Sequence, residues 1–225
     1  MSIDTYAKLQ SEISDTINRN DLLADVTRFT AGSIDGAVKR AIRRTELRLQ
    51  RRMRVTQMEG ETTGSFSTSA DYITKPADFL AVKLFYVSGD PIQIMPSSTL
   101  TQLYTEFPTA GTGKPQKHSV SGSKIYARPT PDSAYDYKLF YFQKIPQLTD
   151  SNTTNWLLEE CEDAYLYGAC LELTPHLAED ERIQVWKGAL DEAIADITGA
   201  ELLARYSGVP LQPVQQVALV GGFLP

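Results

Sequence analysis

The sequence predicts an α+β fold, in which N-terminal and C-terminal helices form one helical bundle and a small antiparallel β lobe is inserted between them. Apolar residues at three- and four-residue steps mark both ends of the chain as helical. From about residue 55 to residue 148, short runs rich in β-branched and aromatic residues are separated by Gly, Ser, Thr and Pro, which is typical of strands joined by turns. We therefore expect residues 1–55 and 153–208 to form the bundle, residues 56–150 the β lobe, and residues 209–225 an extended C-terminal arm.

The composition is that of a folded protein without a disulfide or metal framework. Apolar residues make up 42% and charged residues 22% of the 225 positions, and the formal net charge is −6. Cys161 and Cys170, the only two cysteines, have neither a disulfide-framework pattern nor zinc-ligand spacing. The polar N-terminus is not expected to be a signal peptide, and no apolar run approaches the roughly 20 residues that span a bilayer. We therefore expect a soluble protein with no cofactor, no metal and no membrane partner.

The N-terminal segment predicts a first helix that Asp4 caps and that ends near Asn18. Its apolar stripe consists of Tyr6, Leu9, Ile13 and Ile17. A second, short helix is expected over residues 22–30.

A long amphipathic helix is predicted from about Ile34 to Arg54, with Ser33 as its cap. At about 100° per residue, one side of this helix collects the less polar residues Ile34, Val38, Ala41, Ile42, Thr45, Leu49 and Met53. Most of the basic residues fall on the remaining side, with Leu47 among them. Arg52 is the exception and falls on the apolar side.

The basic residues of this helix form a dense run in an acidic chain. Residues 39–54 contain eight Lys or Arg and one Glu, and without them the chain keeps 14 basic and 27 acidic residues, a formal charge of −13. The eight basic residues are Lys39, Arg40, Arg43, Arg44, Arg48, Arg51, Arg52 and Arg54. Contacts with another protein, contacts with DNA and a solvated helix face all stay open as interpretations. A wholesale nucleic-acid binder would rarely have so acidic a body.

Four or more short strands are predicted for the inserted lobe. A hairpin is expected around Ser121-Gly122. In residues 135–142, Tyr and Leu alternate with other residues, so that the first half of the strand has one apolar face and the second half has two. One or two helical turns are expected over residues 96–108.

Two further helices are predicted after the β lobe. Asn155 is expected to cap a buried central helix, which Pro175 ends or kinks. An amphipathic helix follows from Asp180 to about Tyr206, with Gly208 past its end. Its apolar stripe consists of Ile183, Trp186, Leu190, Ile194 and Ile197.

The C-terminal arm, residues 209–225, is apolar and contains no charged residue. A disordered tail is usually polar, so we expect the arm to lie along a partner, with an added strand as one form of contact. The alternative is that it closes the sheet or covers the core of its own chain. The candidate contact residues are Val209, Pro210, Leu211, Val214, Val217, Leu219, Val220, Phe223 and Leu224.

Catalytic motifs are absent from the sequence, which has only two histidines. The segment GTGKP at residues 111–115 is interpreted as a turn. Residues 156–201 hold twelve acidic and two basic residues. Pairs of carboxylates can hydrolyse glycosides, and candidates are Glu159, Glu160, Glu162 and Asp163. A solvated acidic helix face is the favoured interpretation, and Cys161 is disfavoured as a nucleophile because apolar neighbours raise a thiol pKa.

The order of these segments resembles the head-to-tail adaptor proteins of tailed bacteriophages, particularly those with short tails. From about residue 20 to residue 200 the chain runs through RRMRVTQMEG, YITKPADFLAVKLFYVSGDPI, GKPQKHSVSGSKIYARPTPDSAYDYKLFYFQKIPQL and NTTNWLLEECEDAYLYGACLELTPHLAEDERIQVWKGALDEAI. The features that carry the resemblance are Pro-Ala-Asp-Phe before a strand, a Tyr-rich strand before Ile145-Pro146, and the Asn-Trp-Leu-Leu helix start.

The resemblance implies a structural virion protein without enzymatic activity, assembled in the host cytoplasm. Such adaptors form a homo-oligomeric ring, usually of twelve copies, beneath the portal at the head–tail interface. They extend the DNA channel used in genome ejection, complete the packaged head and serve tail assembly. The implied partners are the portal protein, tail or nozzle proteins and further copies of the chain, with DNA only as channel cargo. The arm from Val209 to Pro225 is then expected to reach the portal.

Two alternatives belong to other classes. One is a virion-associated peptidoglycan hydrolase that uses carboxylates of the acidic helices. The other is a sequence-specific DNA binder, for which the chain lacks a helix-turn-helix followed by a dimer module.

Overall fold

A computed structural model gives the architecture of most of the chain. It describes residues 3–18, 36–68, 70–89, 91–107, 111–176 and 181–206. The described residues form six α-helices and seven β-strands, and the strands lie in two antiparallel sheets. The expected α+β fold is thereby confirmed. Helices lie on both sides of the strands in the described chain, and all seven strands lie between Glu59 and Gln143.

The helices are α1 (Tyr6–Ile17), α2 (Ala37–Arg52), α3 (Leu100–Glu106), α4 (Trp156–Glu160), α5 (Glu162–Glu172) and α6 (Ile183–Tyr206). Helices α1, α2, α4, α5 and α6 pack together, whereas α3 lies beside β5 in the β lobe. Among the described helices, none combines the length and the apolar character required to cross a membrane.

The first helix confirms its predicted stripe and corrects its predicted cap. Tyr6 and Leu9 are buried, as are Ile13 and Ile17. The cap is Thr5, whose hydroxyl oxygen accepts a hydrogen bond from the backbone N–H of Lys8, while Asp4 pairs with the side chain of Lys8. Asn18 ends the helix in the left-handed conformation, with φ of 57°.

The second helix buries the side that its periodicity predicts. All predicted stripe residues among the described ones are buried: Val38, Ala41, Ile42, Thr45, Leu49 and Met53. The helix starts at Ala37 after Gly36 and ends at Arg52, two residues before the predicted end, because Met53 is already extended. The predicted cap at Ser33 and the predicted short helix at residues 22–30 lie outside the described residues.

The prediction of one unbroken central helix after Asn155 is wrong. Asn155 caps α4 as expected, since its side-chain oxygen accepts from the N–H of Leu158 at 2.9 Å. At Cys161 the backbone then leaves the helical region, with φ of −150° and ψ of 67°, and α5 begins at Glu162. The side chain of Asp163 accepts from the thiol of Cys161 and from the N–H of Ala164, both at 2.9 Å. The bond to Ala164 satisfies a backbone N–H that a continuous helix would have paired along its own backbone.

The strands are β1 (Glu59–Ser65), β2 (Tyr72–Thr74), β3 (Phe79–Val87), β4 (Gln93–Ile94), β5 (Lys117–Ser121), β6 (Lys124–Arg128) and β7 (Asp136–Gln143). One sheet has the order β1-β7-β3-β4 and the other the order β2-β6-β5. The predicted hairpin joins β5 to β6, and Gly122 supplies its positive φ of 55°. The strand with alternating aromatic residues is β7, which lies between β1 and β3 and buries Leu139 and Tyr141.

The buried apolar residues form two separate clusters. The larger lies among the helices and includes residues from both ends of the chain, such as Leu9, Leu49 and Trp186. The smaller lies within the β lobe, with Phe85 and Ile125 among its fully buried members. Each fully buried side chain of this size stabilises the fold by about 1.5–3 kcal/mol.

Helices α2 and α5 approach each other closely at Gly168. A Cβ atom at this position would lie 2.3 Å from the Cγ2 atom of Thr45, and the Thr45 hydroxyl donates to the carbonyl of Ala41 inside α2. Since no real Cβ atom tolerates that distance, the two helices can approach this closely only with glycine at position 168.

We expect Gly168→Ala to lower the free energy of unfolding by about 1–3 kcal/mol, because α5 must move away from α2. Urea denaturation measures the change. The matched control is Gly188→Ala in α6, where a Cβ meets nothing within 4 Å and the helix should gain up to about 1 kcal/mol. Combining Gly168→Ala with Thr45→Ser, which removes the clashing methyl group, should restore part of the loss. Equal stability of the two Gly→Ala variants would contradict this assignment.

Candidate interaction surfaces

The orientation of α2 is fixed by a carboxylate that the sequence analysis did not identify. The residue Glu46 is 1% exposed. Its Oε1 atom accepts from the backbone N–H of Leu148 at 2.7 Å and from the hydroxyl of Tyr165 at 3.4 Å, and its Oε2 atom accepts from Arg43 at 3.1 Å. Burial raises the pKa of Glu46, while the bonds from Leu148 and Arg43 act in the opposite direction.

Asn155 extends this network to the start of α4. Its side-chain amide donates to the hydroxyl of Tyr165 and to the carbonyl of Pro146, both at 2.7 Å, while its oxygen caps α4. Desolvation raises the pKa of Tyr165, which therefore stays a neutral donor. The network consequently joins α2, the segment after β7, α4 and α5 in one set of buried hydrogen bonds.

Within the residues that the structure describes, pairs with carboxylates are seen for four basic residues of this run. Three of the pairs reach other parts of the fold: Lys39 with Asp150 at 3.0 Å, Arg48 with Glu172 in α5 at 2.8 Å, and Arg52 with Asp191 in α6 at 2.8 Å. The fourth is the bond from Arg43 to Glu46 within α2. Arg52, which the helical periodicity places on the apolar side, thus reaches across the bundle to α6.

Three further basic residues lie on the outer surface of α2. Arg40, Arg44, Leu47 and Arg51 are exposed and follow one another at four-, three- and four-residue steps, so they share one helix face. We call this set the basic stripe. Within the described residues Arg44 forms no ion pair, and Arg51 donates only to the carbonyl of Leu47. Arg54, beyond the helix end, donates to the carbonyls of Gln50 and Met53 and lies 5.9 Å from the ring of Phe142.

A crevice of opposite charge lies between α5 and α6. Its four carboxylates, Glu160, Asp163, Asp196 and Glu201, line a volume of about 460 Å³ together with Gln57 and Cys161. No lysine or arginine of the described chain lines it. We call it the acidic crevice. Its potential is negative, whereas that of the basic stripe is positive, so the two surfaces are electrostatically complementary.

The comparison with protein families accounts for nearly the whole chain. The family model for the SU10 adaptor protein matches residues 4–214. The chain belongs to the SU10 adaptor protein family. The expected membership of a phage head-to-tail adaptor family is thereby confirmed, and the adaptor is a structural component of a phage virion. No curated protein matches the chain.

The predicted contact residues of the adaptor are only partly described. All eight basic residues belong to α2 or directly follow it. Among the described residues, Lys39, Arg43, Arg48 and Arg52 pair with carboxylates, and the residues of the basic stripe are exposed. The nine candidate residues of the C-terminal arm lie outside the described residues. The acidic crevice had only a compositional signal, the twelve acids of residues 156–201.

The carboxylates considered for hydrolysis each have a structural partner. Glu159 accepts from the hydroxyl of Thr154 at 3.0 Å, and Glu160 accepts from the amide of Gln57 at 3.0 Å. Glu162 accepts from the N–H of Ile3, and Asp163 makes the bonds at the helix break described above. These bonds account for the carboxylates as parts of the fold.

Cys161 and His118 lie in unreactive surroundings. Desolvation, with a further contribution from Asp163, raises the pKa of Cys161 to about 12, so its thiol is protonated at neutral pH. His118 is buried against Met95, whose carbonyl lies 2.9 Å from its Nδ1 atom, and burial lowers the pKa of its ring. Among the described residues, no group of three or more His, Cys, Asp or Glu could hold a metal ion.

We expect Glu46→Ala to lower the free energy of unfolding by about 2–4 kcal/mol, because it leaves the N–H of Leu148 and the hydroxyl of Tyr165 without their acceptor. The matched control, Glu46→Gln, keeps an acceptor oxygen in the same place and should be much less destabilising at pH 7. Chemical denaturation of both variants measures the difference.

A comparison of the native chain with Glu46→Gln also tests the raised pKa of Glu46. A group whose pKa is raised in the folded state stabilises the fold below its unfolded pKa of about 4.5, and this contribution is lost as the pH rises through the folded value. The stability of the native chain relative to Glu46→Gln should therefore fall as the pH is raised from about 4.5 into the neutral range. A difference that stays constant over that range would contradict the assignment.

Proposed function

We propose that the protein is a non-enzymatic adaptor that forms a ring between the portal and the tail of a phage, extends the DNA channel and completes the packaged head. The observation that carries this proposal is the family match over residues 4–214. The ring-forming role, the portal and tail proteins as partners and the position at the portal vertex are proposals that follow from membership of an adaptor family. In this proposal the arm, residues 209–225, attaches the adaptor to the portal.

The charge distribution supports a ring of identical copies. In a cyclic ring each interface joins two different surfaces of the same chain, so a subunit needs two complementary faces. The basic stripe on α2 and the acidic crevice between α5 and α6 are such a pair. We therefore propose that the basic stripe of one copy contacts the acidic crevice of the next.

The same distribution argues against tight DNA binding by α2. Lys39, Arg43, Arg48 and Arg52 are neutralised by carboxylates of their own chain, which leaves less positive charge for phosphates. A channel also gains little from strong binding, because every phosphate contact must be released as the duplex moves. Protein contact is therefore the proposed role of the stripe.

Mass photometry of the adaptor alone and mixed with purified portal rings tests the main proposal. We expect monomers alone, and a discrete heavier ring complex only in the presence of the portal. A chain truncated after Ser207 should no longer attach to the portal, while its helical circular dichroism stays that of the full chain. Monomers that ignore the portal under all conditions would contradict the adaptor role, and normal attachment of the truncated chain would contradict the role of the arm.

Charge reversal in the same assay tests the interface between copies. Both Arg44→Glu in the basic stripe and Asp196→Lys in the acidic crevice should reduce ring formation at least tenfold, because each places like charges together. Both residues are exposed, so neither change should lower the free energy of unfolding by more than about 0.5 kcal/mol. The double variant Arg44→Glu with Asp196→Lys should recover ring formation. Unimpaired rings in both single variants would exclude this interface.

A further inference from the structure

We propose that, in the adaptor before it joins a portal, a segment within residues 214–224 of its own C-terminal arm lies as an added strand in a groove along the open edge of β3. The proposal concerns the unassembled chain, and it holds whether or not the arm later attaches to a portal. Its basis is a free strand edge, an apolar groove beside it, the absence of unpaired charge in that groove, and the position at which α6 ends.

The edge of β3 is only partly paired. On one side β3 pairs with β7 along its length, from Phe79 to Val87. On the other side it pairs with β4 only at Tyr86 and Val87, and the N–H of Met95 adds one bond to the carbonyl of Phe85. Within the described chain, no strand pairs with that side of β3 before Phe85. An unpaired edge of this kind offers backbone N–H and C=O groups to another strand.

A groove of about 490 Å³ runs beside this edge. Its other side is formed by residues 94–97 and by side chains of β5. Residues 94–97 begin in β4 and reach β5 in space, where Ser97 forms a bridge with His118. The apolar side chains Leu84, Ile94 and Val120 line it and are 37%, 58% and 40% exposed. Adjoining apolar side chains left in water at an unpaired strand edge are typical of a docking surface.

The charges in the groove favour an uncharged occupant. Among the described residues Lys83 is the one charged residue that lines it, and its ammonium group pairs with Glu59 across the sheet. An occupant with a charged side chain would therefore meet no free counter-charge there. Residues 209–225 contain no charged residue, and residues 214–224 contain no proline, so every residue of that stretch can donate a backbone hydrogen bond.

The other edge of the same sheet is unsuitable for this occupant. That edge is β1, with the sequence EGETTGS, which presents glutamates, threonines and glycines in place of apolar side chains. Charged side chains on an edge strand discourage the addition of an apolar strand. The arm therefore matches the edge of β3 and not that of β1.

The chain length outside α6 is sufficient to reach the groove. Near the end of α6, Glu201 accepts a hydrogen bond from Thr56, three residues before β1 begins at Glu59. Glu59 pairs with Phe142, and Phe142 pairs with Ala81 at the open edge, so two strand spacings separate β1 from the groove. This path from Tyr206 to Ala81 is shorter than about 30 Å. The ten residues 207–216 span up to about 33 Å when extended, which brings residue 217 to the groove.

Hydrogen–deuterium exchange of the full chain tests the proposal at the groove. The amides of residues 80–84 that point away from β7 should exchange at least tenfold more slowly in the native chain than in a variant with Val217→Asp and Leu219→Asp. The matched control carries two acidic residues outside the proposed strand, Ser207→Asp and Gln212→Asp, and should keep the slow exchange. Equal exchange in the native chain and in the Val217→Asp, Leu219→Asp variant would overturn the proposal.

The reciprocal experiment observes the arm. Leu84→Asp with Ile94→Asp should accelerate exchange of the amides of residues 214–220, whereas Val185→Asp, an exposed change on α6, should leave it unchanged. Unaffected arm amides in the groove variant would overturn the proposal. Protection that disappears on dilution, together with a dimer in mass photometry, would also overturn it, because the arm would then occupy the groove of a second copy. No portal is used, so failure of the adaptor role leaves these outcomes unchanged.

Discussion

The buried carboxylate of Glu46 is the constraint on which the arrangement of the bundle depends. An ionisable group at 1% exposure is strongly destabilising unless its oxygens accept hydrogen bonds. Its partners Leu148 and Tyr165 lie 102 and 119 positions away in the chain, so the bonds form only when the C-terminal helices close over α2. The network thus joins the two ends of the chain at the point where the chain leaves the β lobe, and it sets which side of α2 faces the solvent.

That orientation explains how an acidic protein carries so basic a helix. Basic residues that flank the packed side of α2 reach acids on neighbouring elements, as Arg48 reaches Glu172 and Arg52 reaches Asp191. Each such partly exposed pair contributes no more than about 1 kcal/mol, so the pairs do not hold the bundle together. Their larger effect is to neutralise the flanks of the helix, and the basic stripe around Arg44 remains as a narrow outward surface.

The sequence predicts what depends on local periodicity and fails where distant residues decide. The stripe of α2 and the cap at Asn155 were predicted because a 3.6-residue period and a capping side chain are local signals. The helix break at Cys161 was missed, since no Gly or Pro marks it and the side chain of Asp163 supplies the competing bonds. Glu46 gave one unused signal: it lies four residues after Ile42 and three before Leu49, on the buried side. The groove beside β3 has no local signal, because strands of two different sheets form it.

The two proposed contacts of the adaptor depend on different interactions, so they respond differently to salt. Contact between the basic stripe and the acidic crevice is electrostatic and weakens as salt screens it over about 10 Å at 0.1 M ionic strength. Docking of an uncharged strand beside β3 depends on backbone hydrogen bonds and apolar burial, which salt of that concentration hardly changes. An arm held in this way stays on its own chain under conditions in which neighbouring copies do not associate. Release of the arm and association of copies would then be independent steps. A partner that offers the arm a better strand edge would release the arm without requiring that copies associate.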